Sequence, residues 1–118
     1  MKILTVCAHG INRSVFLREY LRSRGYDVQS VGVDDVHLGA MVRRSDLIIS
    51  VHPEVLNRLE EIVDLSGKRV ISLDVEDRPE RSLPDGKRLD GEDWVDFQDR
   101  HVYPKLVEQI DVHLPFDT

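Results

Sequence analysis

A three-layer α/β/α fold, with a four-stranded parallel sheet in the order 2-1-3-4, is what the sequence predicts, and three observations lead to it. Four short apolar runs rich in β-branched residues, "KILTVCA", "YDVQSVGV", "SDLIISV" and "GKRVISL", recur along the chain. Between them the apolar residues repeat at helical spacing. At 118 residues the chain has room for one core, so residues 1–118 are read as a single domain. Strands that alternate with helices are joined by right-handed crossovers, which gives a parallel sheet covered on both faces.

Taken in order, "KILTVCA" reads as a buried strand ended by a Gly-containing turn. From Ser14 the period becomes helical, with Val15, Phe16, Leu17, Tyr20 and Leu21 on one face and Gly25 as the stop. "YDVQSVGV" is the second strand. Asp34 to Arg44 reads as a short helix burying Val36, Ala40 and Met41. "SDLIISV" is the third strand. "HPEVLNRLEEIVDL" is the third helix, with Pro53 in its first turn and Val55, Leu56, Leu59, Ile62 and Val63 as its buried face. "GKRVISL" is the fourth strand. The stretch "DVEDRPERSLPDGKRLDG" lacks periodicity and reads as a long exposed loop, a length that in compact domains usually carries function. A last helical region runs from about Glu92 to His113, broken or kinked at Pro104, which lacks the donor and crowds the preceding turn.

Composition narrows the function classes. No apolar run approaches the roughly 18 residues of a spanning helix, and the N-terminal apolar run is too short for a signal peptide, so no membrane partner and a cytoplasmic location are expected. The formal charge is −6, and residues 74–99, with ten acids and four bases, account for all of it. That argues against a nucleic-acid partner, which needs a basic face to neutralise phosphates. The single cysteine excludes an internal disulfide, and no Cys/His spacing suits a zinc site, so neither metal nor cofactor is expected.

That cysteine lies in "VCAHGINRS", Val6 to Ser14. In open α/β sheets ligands bind outside the carboxyl ends of the strands, and the loop after the first strand sits there. A loop passing from strand to helix aims several backbone N–H groups at one spot, and the helix start adds a partial positive charge, so the spot favours an anion. The loop runs from Ala8 through His9, Gly10, Ile11 and Asn12 to Arg13. The same field favours the Cys7 thiolate, the nucleophilic form. Gly10 supplies positive φ at low steric cost. Arg13 can return over the ring of N–H groups, where its planar fork matches two phosphate oxygens. Ser14 can donate to the sulfur or simply cap the helix. Together these describe attack of a thiolate on phosphorus, giving a phosphocysteine that water later hydrolyses. The plainer reading of Cys7 is an inert small hydrophobe at a strand end.

"VCAHGINRS" resembles the Cys-x5-Arg-Ser phosphate loop of the low-molecular-weight protein tyrosine phosphatases, which also follows the first strand. The likeness continues through "SDLIISVHPEVLNRL" and "GKRVISLDVED" to about Asp77. The resemblance implies Cys7 as nucleophile, Arg13 as phosphate clamp, Ser14 as sulfur partner, the backbone of Ala8 to Arg13 as phosphate cradle, and a phosphorylated protein or small aryl phosphate as substrate, without cofactor. Departures accompany it. The family commonly has Asn at the place of Gly10 and often a second cysteine at that of Asn12. The arsenate reductases related to it need further cysteines that this chain lacks. The family's general acid is an Asp followed by Pro and an aromatic, and no such tripeptide exists here. "LDVEDRPE" offers Asp77 as the first candidate acid and Asp74 as the second, with Asp90 an outsider. Trp94 or Tyr103 can wall a substrate pocket or belong to the core, and His9 can face its mouth. Arg43 and Arg44 read as a basic pair stabilising a helix end. The loop also looks like the cysteine loop of the IIB subunits of sugar phosphotransferase systems, where the phosphoryl group passes on to sugar. A phosphate-binding module without catalysis is the third reading.

Overall fold

The central strand, β1 (Lys2–Cys7), is buried from Ile3 to Cys7, as a strand covered on both faces must be. In this computed structural model, which describes residues 1–117, β1 pairs in parallel with β2 (Asp27–Gly32) on one side and β3 (Leu47–Ser50) on the other. β4 (Arg69–Ser72) completes the order β2-β1-β3-β4 by pairing with β3. The register sets Cys7 opposite Gly32 and Val6 opposite Ser50. The expected sheet order is therefore the observed one, although each strand is one to three residues shorter than its apolar run.

Helix α1 (Arg13–Arg22) joins β1 to β2, α2 (Leu38–Arg43) joins β2 to β3, and α3 (Pro53–Ile62) joins β3 to β4. Right-handed crossovers from a central β1 place α1 on one face of the sheet and α2 and α3 on the other. A hollow shared by Leu38, Val42, Ile62 and Val63 marks the α2–α3 seam. Two expected faces are corrected. The helix expected from Asp34 starts only at Leu38, because Asp35 ties down the His37 N–H in a turn, and the buried residues are Leu38 and Val42 while Val36 is 91% exposed. On α3, Val55 and Leu59 are buried, whereas Ile62, at the helix end beyond the sheet, is 54% exposed.

The stretch after β4 is not simply exposed. Leu73 N–H bonds to Ser50 O and Val75 N–H to Val51 O, so the chain keeps running beside β3 and buries Leu73 and Val75. A short helix, α4 (Pro79–Ser82), follows within the stretch expected to be structureless, with Pro79 buried. The last helical region comprises α5 (Gly91–Phe97), a π-helical turn over Gln98–Val102, and α6 (Tyr103–Asp111), which packs against α1. Pro104 breaks the α-helical ladder as expected, and the wider π turn is what accommodates its missing donor and its ring.

Candidate functional site

The loop 8–12 leaves β1 at the carboxyl edge of the sheet and folds over the end of β2. Gly10 has φ +75°, and a Cβ there would stand 2.6 Å from Gly32 N and 3.0 Å from Val31 C. A Cβ on Gly32 would in turn collide with His9 C and lie 2.7 Å from Gly10 N. The two glycines therefore let two stretches of backbone touch, and this approach folds the loop back toward the sulfur. Gly10 N–H donates to Cys7 Sγ at 3.1 Å, and Ser14 Oγ lies 2.9 Å from the same sulfur. Beneath them Thr5 Oγ1 donates to Ser14 O at 2.7 Å, pinning the start of α1 to β1.

Arg13 is buried in the first turn of α1, and its Nη1 donates to Val75 O at 2.6 Å. Its Nε lies 3.2 Å from Asp77 Oδ2, yet the angle is poor and this buried donor has no hydrogen-bond partner among the described residues. A buried donor left in that state is costly, so an anion reaching it gains accordingly. Asn12 is fully engaged: its Nδ2 donates to Asp77 Oδ2 at 3.1 Å and to Gln98 Oε1 at 2.8 Å, and its Oδ1 accepts from Tyr103 OH at 2.6 Å. Gln98 Nε2 donates to Asp77 O at 2.8 Å. The π turn thus presents Gln98 to Asn12 and Asp77 together, while Tyr103, the first residue of α6, reaches Asn12. Burial first, then the charges of Asp99 and Asp77, pushes the Tyr103 hydroxyl above its ordinary value, so it stays a donor. Tyr103→Phe is expected to cost about 1 kcal/mol, seen as a lower urea midpoint at unchanged slope.

The residues singled out in the sequence separate cleanly. Cys7, Ala8, His9, Ile11, Asn12, Arg13 and Asp77 line one cavity of about 620 Å³, and Trp94 forms part of its wall. Asp74 does not line it; its side chain is 77% exposed, against 19% for Asp77, and lies 3.8 Å from His52 Nε2. Asp90 stands just before α5, without a side-chain bond to its first turn, and faces a neighbouring hollow. Tyr103 stacks on Phe16 with ring centroids 4.3 Å apart and reaches the site only through Asn12. His9 is exposed and lines the cavity, with Nδ1 2.9 Å from Asp34 Oδ2, and that contact holds the Asp34 carboxyl below the usual carboxylate range. Arg43 and Arg44 lie away from the cavity. Among the described residues no three His, Cys, Asp or Glu side chains converge as metal ligands do, and no helix is long and apolar enough to cross a membrane.

As site residues the sequence reading missed His52, Glu54, Val55, Arg58 and Arg78, which line the cavity, and Gln98 behind it. The first three were legible in principle, since the turn after β3 also opens at the carboxyl edge of the sheet. Buried Gln98, bonded to a residue 86 positions away, left no local signal.

No family model matches the chain, and no curated protein sequence matches it. Among solved structures the chain is similar to Wzb of Vibrio vulnificus, in complex with benzylphosphonate, with a TM-score of 0.52 and 15% identity over 94% of this chain and 90% of that one. At that identity the likeness speaks to architecture: the chain has a low-molecular-weight phosphatase-like α/β fold built on a four-stranded parallel sheet.

Proposed function

We propose that the protein is a cysteine-dependent phosphatase that hydrolyses phosphotyrosine or another aryl phosphomonoester through a phosphocysteine. The observation that carries this reading is the convergence, in one cavity, of Cys7 with its two sulfur-directed donors, the buried Arg13 fork and the carboxyl of Asp77. The fold adds support, since Wzb is a tyrosine phosphatase. Its ligand, benzylphosphonate, joins an aromatic ring to a phosphonate as an aryl phosphate joins one to a phosphate.

The steps follow from the geometry. The Cys7 thiolate attacks phosphorus, forming the P–S bond as the P–O bond to the aryl group breaks. Asp77, as its acid form, gives its proton to the departing oxygen. Arg13, with Nη1 fixed on Val75 O, has Nε and Nη2 left for the phosphoryl oxygens, where a guanidinium gains most from the charge of the transferring group. Water then attacks phosphorus while the Asp77 carboxylate takes its proton, and the sulfur leaves as a thiolate stabilised by the Ser14 hydroxyl and the Gly10 N–H.

Hydrolysis of phenyl phosphate and 4-nitrophenyl phosphate in the presence of a chelator tests this. Asp77→Asn is expected to slow phenyl phosphate by about 10²-fold, and the nitrophenyl ester, whose better leaving group needs less protonation, far less. Asp74→Asn is expected to stay close to wild type. Equal slowing of both esters by Asp77→Asn removes Asp77 as the acid. A wild-type protein that binds phosphate but turns over neither ester overturns the hydrolase and leaves the binding module. Transfer to that protein from a phosphorylated partner, without hydrolysis, points to the transferase.

A further inference from the structure

Arg58 stands one helical turn beyond Glu54 on α3, a Glu-to-Arg spacing that ordinarily forms an ion pair along the helix. Here the pair does not form. Both carboxylate oxygens of Glu54 are taken by the stretch after β4, Oε1 by Arg81 Nη1 at 2.7 Å and Oε2 by Arg78 Nη2 at 3.2 Å. Asp34 feels the Arg58 charge, but its Oδ2 is held by His9 at 2.9 Å. Both carboxyls are pulled below the usual range, Glu54 by Arg81 and then Arg78, and Asp34 first by His9 and last by the more distant charge of Arg58. Arg78 is itself occupied, by Glu76 and Glu54. Arg58 is left lining the cavity of Cys7 and Arg13 without a hydrogen bond or ion pair to any described residue.

Three arginines thus line one cavity: Arg13, buried and clamped beside the sulfur, Arg78, held by Glu76 and Glu54, and Arg58, exposed and without a bonded partner. We propose that Arg58 binds a second anionic group of the substrate, so that the site takes phosphomonoesters whose aryl unit carries, or is closely flanked by, a carboxylate. This rests on reading the cavity as a phosphomonoester site. The carboxylate has two sources, a substituent on a small aryl phosphate or an acidic residue next to a phosphotyrosine, and Arg58 recognises the same chemistry in both.

The test compares matched pairs on the full chain: phenyl phosphate with 4-carboxyphenyl phosphate, and phosphotyrosine peptides with Glu or Gln as neighbours. In parallel, benzylphosphonate and 4-carboxybenzylphosphonate are titrated without turnover, and all pairs are repeated with Arg58→Gln and Arg58→Glu. Wild type is expected to favour the carboxylated member on the order of fivefold at low salt, an advantage that shrinks as salt rises. The advantage disappears in Arg58→Gln and inverts in Arg58→Glu, and the pair with the larger ratio identifies the source. A wild-type ratio near unity in every pair, or one that Arg58→Glu leaves in place, overturns the proposal. If no ester turns over but the phosphonate ratio still follows Arg58, the second-anion contact stands and the hydrolase reading falls. Failure of both phosphonates to bind overturns the two together.

Discussion

Cys7→Ser is expected to reduce hydrolysis of aryl phosphates by at least about 10⁴-fold while leaving the protein folded. The substitution exchanges a sulfur for an oxygen at a buried position whose neighbours, Gly10 N–H and Ser14 Oγ, suit either atom. A serine hydroxyl is not ionised where a thiol readily is, so the nucleophile is lost and the phosphate cradle is kept. Phosphate titration of the variant should therefore still report binding. Arg13→Lys is expected to lose that binding as well, because an ammonium cannot bond Val75 O and also present a two-pronged donor to a phosphate. Substantial turnover by Cys7→Ser would remove the covalent route and return Cys7 to the inert strand-end residue that its position alone suggests.

The second large effect is structural. Gly32→Ala is expected to destabilise the domain by about 3 kcal/mol, seen as a fall in Tm of roughly 10 °C, and to abolish activity in whatever protein still folds. The new Cβ meets His9 C and Gly10 N, both backbone, and β2 cannot yield because Gly32 is locked in register against Cys7. Gly10→Ala meets the same obstruction from the other side, with Gly32 N at 2.6 Å, and adds the strain of φ +75°. Gly25→Ala is the control, since it also sits at positive φ, +91°, but faces open space. If Gly32→Ala melts like the control and keeps its activity, the loop does not owe its shape to this backbone contact.

Much of the architecture was legible because its signals are local. "KILTVC" is apolar at every buried position but Thr5, the helical period restarts at "RSVFLREYLR", and the crossover rule orders the strands once their number is known. Cys7, Arg13 and Ser14 stood out by their spacing within one loop, and Asp77 was ranked first among the acids only through the family resemblance. What escaped depends on partners distant in sequence. Val36 looks like a core residue by period, but the Asp35–His37 turn leaves it in solvent. Asp74 and Asp77 are indistinguishable as letters, and they separate only because the chain follows β3 as far as Val75 before turning Asp77 toward Arg13. The roles of Asn12, Gln98 and Tyr103 lie in contacts spanning 86 and 91 positions, which no window along the chain contains.

The π turn has a consequence for rotational phase. Leu106, in the core, lies twelve positions after Trp94, in the cavity wall. At about 100° per residue an uninterrupted α-helix would set their directions roughly 120° apart, and one of the two would face solvent. A π turn absorbs the rotation of about one residue, which brings them within roughly 20° of each other. The exposed residues Arg100 and His101 therefore matter to the site by their number more than by their identity. Their spacing lets one helical run serve both the core at one end and the cavity at the other.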